Sequence, residues 1–221
     1  IGINLTTNGE QSGLAATLRI VLVLTVLGLA PSILILLTSF TRILVVLHFV
    51  RSALTTQTTP PNQVLTGLAL FLTWFIMSPI FIQINTEALK PLTDGNITFE
   101  QAYEIGIKPL RTFMYKQTNT KDIRLFLDIA GIEEVKDMDE IPTNVLIPAF
   151  IISELRAAFI IGFCIYIPFL VIDMVVSSTL MSMGMMMLPP TTISMPFKIL
   201  LFIMVDGWDL VIGNLVKSFV K

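Results

Sequence analysis

The chain has 221 residues, of which 54% are hydrophobic and 14% are charged, against about 25% charged residues in an ordinary soluble domain. The mean hydropathy of +0.82 excludes a water-soluble globule and a disordered tail, and the net charge of -2 excludes a basic nucleic-acid-binding protein. A single cysteine, Cys164, and a single histidine, His48, exclude a disulfide framework, a multi-cysteine metal site and most histidine-based catalysis. The composition predicts an integral membrane protein.

Four apolar segments are long enough to cross a membrane as helices, which takes about 20 mostly apolar residues. They span residues 18–37, 64–84, 159–181 and 197–216, and the third continues a helix that begins near Asn144. Each contains a proline, a glycine or a charge, which is tolerated where the freed backbone lies against protein or a cavity. We expect an all-α membrane-type protein with about four interrupted apolar helices. Four ordinary anchoring helices are the alternative.

The charges are concentrated between these segments. Residues 85–145 hold 11 acidic and 7 basic residues, which is 18 of the 30 charged residues of the chain. This contrast predicts three parts. Residues 1–84 carry N-terminal apolar helices and a basic loop, residues 85–145 form a charged helical insert, and residues 146–221 form a C-terminal apolar helical hairpin with a methionine-rich pore loop.

The basic loop sets the expected orientation. The stretch 38–63 carries Arg42, His48 and Arg51 and no acidic residue, so the positive-inside rule places it on the cytoplasmic side. The insert 85–145 and both ends of the chain then lie on the opposite side. Residue 1 is Ile, which a processed secretory signal or a trimmed chain would explain.

The insert shows local signals for helices. Thr98 followed by Gln101 matches a capping box, and the segments 119–129 and 133–140 have the composition of short charged helices around Gly131. The insert is therefore expected to be helical.

A methionine-rich turn is the densest signal in the sequence. Five of the 11 methionines lie within seven positions, at Met181, Met183, Met185, Met186 and Met187. Gly184, Pro189 and Pro190 prevent one continuous helix through this turn and serve as its hinge. Methionine is unbranched and polarizable and can repack against changing surfaces, so we predict that Met183, Met185, Met186 and Met187 form an adaptable seal around a pore. A helix–helix core and a Cu(I) thioether site are the alternatives, and no adjacent Cys or His supports the latter.

Eight ionisable residues lie inside apolar stretches, where an unpaired charge costs at least about 2.5 kcal/mol. They are Arg42, Arg51, Glu154, Arg156, Asp173, Lys198, Asp206 and Asp209. Charges within one helix do not pair, since Glu154 and Arg156 are two residues apart and face different sides. We expect partners on other helices or other subunits, and ion pairs between neighbouring copies are predicted for Arg42, Arg51, Glu154, Asp173 and Lys198. The preferred pair is Glu154 with Lys198. For Arg156, Asp206 and Asp209, an interface or a water-lined cavity is an equal alternative.

The sequence lacks the common enzyme motifs. HExxH, GxSxG, GxGxxG and the Walker A loop are all missing, and the sequence around Asp173 and Asp206 lacks the Gly-x-Gly-Asp of intramembrane aspartyl proteases. We therefore predict no catalytic residue, no metal and no cofactor.

Three stretches carry a family resemblance. They are SFTRILVVLHFVRSAL, TQTTPPNQVLTGLALFLTWFIMSP and SELRAAFIIGFCIYIPFLVIDMVVSSTLMSMGMMMLPPTTISMPFKILLFIMVDGW. In order and spacing they resemble the FliP/SctR family of export-gate proteins of type III secretion systems. The resemblance covers roughly residues 38–84 and 145–209, and MGMMMLPP resembles the flagellar branch more than the virulence injectisomes.

The resemblance implies an export gate. Members of this family assemble in several copies with FliQ-like and FliR-like subunits into a closed helical cone on which an FlhB-like subunit docks. That gate lies in the bacterial inner membrane at the flagellar basal body, within the basal-body ring, and admits unfolded export substrates. The resemblance also implies that the helices form hairpins, that much of the gate sits above the bilayer plane, and that Met185, Met186 and Met187 belong to a channel gasket.

Two other functions stay open at this point. The chain could be the equivalent subunit of a virulence injectisome, or a small-solute or ion transporter that uses Asp173, Lys198 and Glu154 as a relay. Transporters often complete their pathway within one chain built from an inverted repeat, and no repeat is visible here. Export is therefore the preferred interpretation.

Overall fold

A computed structural model describes residues 37–132, 135, 137–185 and 188–219, together with isolated residues between 20 and 36. Residues 1–36 and 37–221 form two separate units, and every helix below belongs to the second. Half of the predicted segment 18–37 lies outside the described residues. Its described positions are helical up to residue 36, and Leu37 lies in a turn.

The described part of residues 37–221 is helical and contains no strand, which confirms the predicted fold class. In chain order the helices are α1 (Phe40–Ala53), α2 (Asn62–Ile84), α3 (Lys90–Thr93), α4 (Phe99–Gln117), α5 (Thr120–Ile129), α6 (Thr143–Ser182), α7 (Pro190–Met204) and α8 (Gly207–Lys217). A π-helical turn, Asn85–Leu89, joins α2 to α3, and a 3-10 turn, Met138–Glu140, precedes α6.

Two helical stretches are long and apolar enough to cross a membrane, Asn62–Thr93 with 32 residues and Thr143–Ser182 with 40 residues. They contain the predicted segments 64–84 and 159–181. At 1.5 Å per residue, α6 is about 60 Å long, against about 30 Å for the hydrocarbon core of a bilayer. A crossing of α6 along the bilayer normal would therefore leave about half of the helix outside the hydrocarbon.

The predicted segment 197–216 is not one helix. It divides into α7 and α8, which meet at an angle of 64°. Asp206 adopts a left-handed backbone conformation, with φ 49°, and ends the helical geometry. The next residue is Gly207. A residue with a side chain would not fit there, because the ring of Phe202 lies 2.3 Å from the position that a Cβ would take. Among the described residues there are thus two candidate spans, or three if the bent pair counts as one.

The core of the fold forms where α1 packs between α2 and α6. One stripe of α1 is buried at helical spacing, through Ile43, Val46, Leu47 and Val50. The stretch 38–63 is therefore largely a central helix, which corrects its interpretation as a basic loop. Arg42 and Arg51 lie near opposite ends of that helix, nine residues and about 14 Å apart.

The charged insert folds through the local signals in its sequence. The hydroxyl of Thr98 accepts a hydrogen bond from the Gln101 amide at 3.4 Å, and the Gln101 side chain accepts one from the Thr98 amide at 3.0 Å, so the predicted capping box is confirmed. Asn119 caps α5. Of the predicted helix 133–140, residues 133, 134 and 136 lie outside the described residues, and Met138–Glu140 is a single 3-10 turn.

The insert packs against the beginning of α6. The rings of Phe113 on α4 and Phe150 on α6 lie 6.0 Å apart, and Ile123 and Leu127 of α5 are buried. This packing brings α4, α5 and the first turns of α6 together around the charged groups described next.

Candidate functional site

A buried arginine joins four distant parts of the fold. Arg42 on α1 forms a two-pronged ion pair with the fully buried carboxylate of Glu154 on α6, with Nε 3.0 Å from Oε2. It also donates to Gln117 Oε1 at 3.1 Å, and to the carbonyl and hydroxyl of Ser218 at 3.3 and 3.1 Å. The ring of Phe219 lies 4.0 Å from the guanidinium carbon. We call Arg42 and these four residues the Arg42 cluster.

A second buried ion pair joins α6 to α7. Lys198 is fully buried and donates to Asp173 Oδ2 at 2.5 Å, while Ser194 donates to Oδ1 of the same carboxylate at 2.5 Å. Ser194 and Lys198 are four residues apart and share one face of α7. Both carboxylate oxygens of Asp173 are thus occupied from within the chain.

These contacts within one chain differ from the predicted pairing of Glu154 with Lys198, which concerned neighbouring copies and stays a prediction. Each residue has a different partner on another helix of the same chain. Glu154 lies 19 residues and about 28 Å before Asp173 on α6, and Lys198 binds at the level of Asp173, so the two ion pairs are separate sites within the chain. The expectation that the partners lie on other helices is confirmed for Arg42, Glu154, Asp173 and Lys198.

Arg51 does not form the predicted ion pair within the described part of the chain. Its guanidinium donates to Asn62 Oδ1 at 2.5 Å and to the carbonyl of Pro60 at 3.3 Å, which ties the end of α1 to the start of α2. It therefore closes the α1–α2 turn.

A third ion pair joins the charged insert to α6 and was missed by the sequence reasoning. Asp122 is buried and accepts from Arg156 at 2.6 Å and from the Ser153 hydroxyl at 2.6 Å. The same hydroxyl accepts from the Asn119 amide at 2.9 Å. The predicted pattern offered no signal for Asp122, which is one of several acids on an amphipathic charged helix.

His48 lies on α1 between the two arginines. Its Nδ1 atom is buried and has no hydrogen-bond partner among the described residues. Burial, and then the charge of Arg51, lower the pKa of His48 below its usual range. The imidazole is therefore neutral at physiological pH.

The methionine-rich turn has a defined beginning. Gly184 has φ +73° and donates its amide to Met181 at 3.0 Å, and Met185 donates to Leu180 at 3.0 Å. This pair of bonds with a left-handed glycine is a common helix C-cap. After Pro189, α7 begins at Pro190. The predicted breaks at Gly184 and at Pro189–Pro190 are thus confirmed.

The described methionines of this turn face outwards. Met183 is 72% and Met185 is 42% exposed, so neither fills a core within the chain. Met186 and Met187 lie outside the described residues. Among the described residues, no group of three or more His, Cys, Asp or Glu side chains is placed to hold a metal ion.

The long apolar helices and their hairpins define an all-α, membrane-type protein. A family model described as the FliP family matches residues 23–215, and the chain belongs to that family. This confirms the resemblance drawn from residues 38–84 and 145–209.

Several curated relatives match most of the chain. It is 54% identical over 217 residues to the flagellar biosynthetic protein FliP of Bacillus subtilis, with 98% of both chains covered. It is 51% identical over 212 residues to the protein of that name from Pectobacterium carotovorum, covering 96% of this chain and 82% of the relative. For the protein of that name from Borreliella burgdorferi, identity is 49% over 211 residues, covering 94% and 83%.

Proposed function

We propose that this chain is a channel subunit of the flagellar type III protein export gate and passes unfolded flagellar subunits across the bacterial inner membrane at the basal body. The observation that carries the proposal is the exposed methionine-rich turn, at the end of an apolar helical hairpin, in a chain whose relatives are named flagellar biosynthetic proteins. Those names also favour the flagellar gate over an injectisome. We assign no catalytic residue and no cofactor.

The exposed apolar surface supports a subunit of a larger assembly. Only 11% of the most apolar 18-residue stretch of α6 is buried, although the helix is about 60 Å long. Large apolar side chains such as Phe71, Phe163 and Met204 are 78%, 63% and 74% exposed. Surface of this kind is covered by lipid or by other chains. Further copies of this chain, FliQ-like and FliR-like subunits and an FlhB-like subunit are the partners we propose.

The charge arrangement argues against the transporter alternative. A relay through Glu154, Lys198 and Asp173 would need these groups within proton-transfer distance, but about 28 Å of helix separates Glu154 from Asp173. Glu154 is also fully paired with Arg42. We therefore do not propose a second function.

Replacing Met185, Met186 and Met187 together by Ala tests the proposal. The change removes side-chain bulk without adding charge, so the gate should still assemble but should leak small ions when cells make it. The control replaces Met174 and Met204 by Ala. These two residues are 59% and 74% exposed but lie outside the turn. The control should assemble and stay tight.

Ion conductance and complex yield are measured together. A core-filling role predicts the opposite result, a loss of yield from cavities at about 2–5 kcal/mol per buried Met→Ala, without a leak. A triple variant that assembles normally and stays tight would overturn the seal.

A further inference from the structure

A groove runs between α2 and α4 and borders the Arg42 cluster, since Gln117 and Phe219 are among its lining residues. Its volume is about 780 Å³, within the range of about 300–1,000 Å³ that is typical of ligand sites. Ile80 and Pro79 of α2 form one wall, Ile105 and Pro109 of α4 form the other, and the buried ring of Phe113 lies among the lining residues. The groove is therefore mainly apolar.

Two lysines stand on the α4 side of this groove. Lys108 and Lys116 are eight residues apart, so they share one face of α4 at a spacing of about 12 Å. Both are exposed, and neither has an ion-pair partner within the part of the chain that the structure describes. The acidic residue of the lining is Glu87, whose carboxylate accepts two bonds from Gln83 at 3.1 and 3.3 Å. The lining thus carries a net positive charge inside an insert that is acidic as a whole.

The groove opens onto the exposed apolar side of a candidate membrane span. Phe75 lines the groove, is 70% exposed and belongs to the stretch Asn62–Thr93. Phe71 and Trp74 on the same helix are 78% and 66% exposed. A tryptophan such as Trp74 is typical of the level where a helix leaves the hydrocarbon, and lysines extend their charged ends to the same level.

We propose that this α2–α4 groove binds an anionic phospholipid. One acyl chain lies along the apolar walls at Ile80 and Ile105, and the phosphate lies between Lys108 and Lys116. Charge complementarity selects an anionic headgroup, and continuity with the apolar side of α2 selects a membrane lipid over a soluble phosphate.

The test measures lipid retention by the purified full chain in native mass spectrometry. Phosphatidylglycerol should be retained at least tenfold more than phosphatidylcholine. The double substitution Lys108→Gln with Lys116→Gln should reduce that preference at least fivefold. The matched control, Lys90→Gln with Lys121→Gln, removes the same charge from exposed lysines outside the groove and should keep the preference.

A second pair of variants tests the apolar part. Ile80→Asn should weaken retention of both lipids, because it places an amide in the groove, whereas Ile82→Asn changes a 63% exposed residue of the same helix outside it and should not. Soluble glycerol phosphate at millimolar concentration should fail to displace phosphatidylglycerol, since it lacks acyl chains.

Three results would overturn the proposal. The first is equal retention of the two lipids by the unchanged chain, and the second is an equal loss in both lysine variants. The third is cross-linked dimers through Ile80→Cys, on a Cys164→Ser background, that persist when phosphatidylglycerol is added. That result would assign the groove to a second copy of the chain.

Discussion

The two ends of α6 differ in how their side chains are satisfied. Near its beginning, Glu154 is fully buried and bound by Arg42, and the cluster draws in residues from α1, α4 and the segment after α8. Near its other end, Met181 and Met183 are 61% and 72% exposed. The difference shows that side chains near the beginning of α6 find their partners within the chain, whereas those near its other end are free to contact molecules outside the chain. Substitutions at the first end should therefore affect folding, and those at the second should affect function.

The largest effect is expected at the Arg42 cluster. Arg42→Met leaves the carboxylate of Glu154 buried without a counter-charge, which costs about 3–5 kcal/mol. The matched control is Arg51→Met, which removes the same charge from the same helix but breaks only hydrogen bonds to Asn62 and Pro60; it should cost about 1 kcal/mol. Thermal unfolding of the detergent-solubilised chain measures both. Equal stability of the two variants would contradict a special role for the buried end.

A charge exchange at Asp173 and Lys198 should have the next largest effect. Lys198→Asp places two carboxylates together, and Asp173→Lys in the same chain should restore part of the lost stability. The penalty should be smaller than at Arg42, because the side chain of Asp173 is 20% exposed and water can reach it.

The exchange of Glu154 with Lys198 is the control for that pairing. Lys198→Glu together with Glu154→Lys should restore nothing, because Glu154 is bound by Arg42 and Lys198 by Asp173. Restoration by this second exchange, measured as the yield of folded chain, would revive the predicted pair between copies.

A close helix contact supplies the third prediction. A Cβ added at Gly162 of α6 would lie 2.4 Å from the ring of Phe49 on α1, so Gly162→Ala should cost about 1–3 kcal/mol. Phe49→Leu in the same chain should recover part of this loss. Gly67→Ala is the control, since nothing lies within 4 Å of its added Cβ, and it should be neutral or stabilising by up to about 1 kcal/mol. Equal unfolding temperatures for the two alanine variants would be evidence against this contact.

Local patterns allowed much of this fold to be predicted. Three features depend only on residues that are close together in the sequence, and they were therefore predicted. They are the apolar run that forms much of α6, the capping box at Thr98 and the end of the helix at Gly184. Distant pairings are different. Arg42 bonds to Gln117, Glu154 and Ser218, at separations of 75, 112 and 176 residues. The spacing of charged residues within one helix does not indicate which distant helix will pack against them.

The bend between α7 and α8 was missed for a related reason. Hydropathy is continuous through residues 197–216, so the segment is predicted as one span. What breaks the helix is the left-handed backbone at Asp206 and the ring of Phe202 against Gly207, and the second of these is a packing contact. Membership of the FliP family, in turn, does not indicate where the partners of the chain bind.

A smaller effect is expected from the capping box of the insert. Thr98→Ala removes the hydroxyl that accepts from the Gln101 amide and should cost about 1 kcal/mol. The control is Thr86→Ala, whose hydroxyl donates to the carbonyl of Ile82 within a helix and caps nothing. Hydrogen exchange at the start of α4 should increase only in the first variant. Unchanged exchange in both would mean that packing alone holds this helix.

The smallest effect should come from pH. His48 is the single histidine of the chain, and its pKa in the folded state is lowered from 6.5 by burial and by Arg51. As the pH falls through about 6.5, the unfolded chain binds a proton that the folded chain does not, so stability is lost on acidification. The loss should be modest because the imidazole is partly exposed and water screens its charge. His48→Gln removes the titrating group, so its unfolding temperature should fall less between pH 7.5 and pH 5.5 than that of the unchanged chain. Parallel slopes for the two proteins would assign the acid sensitivity to the carboxylates instead.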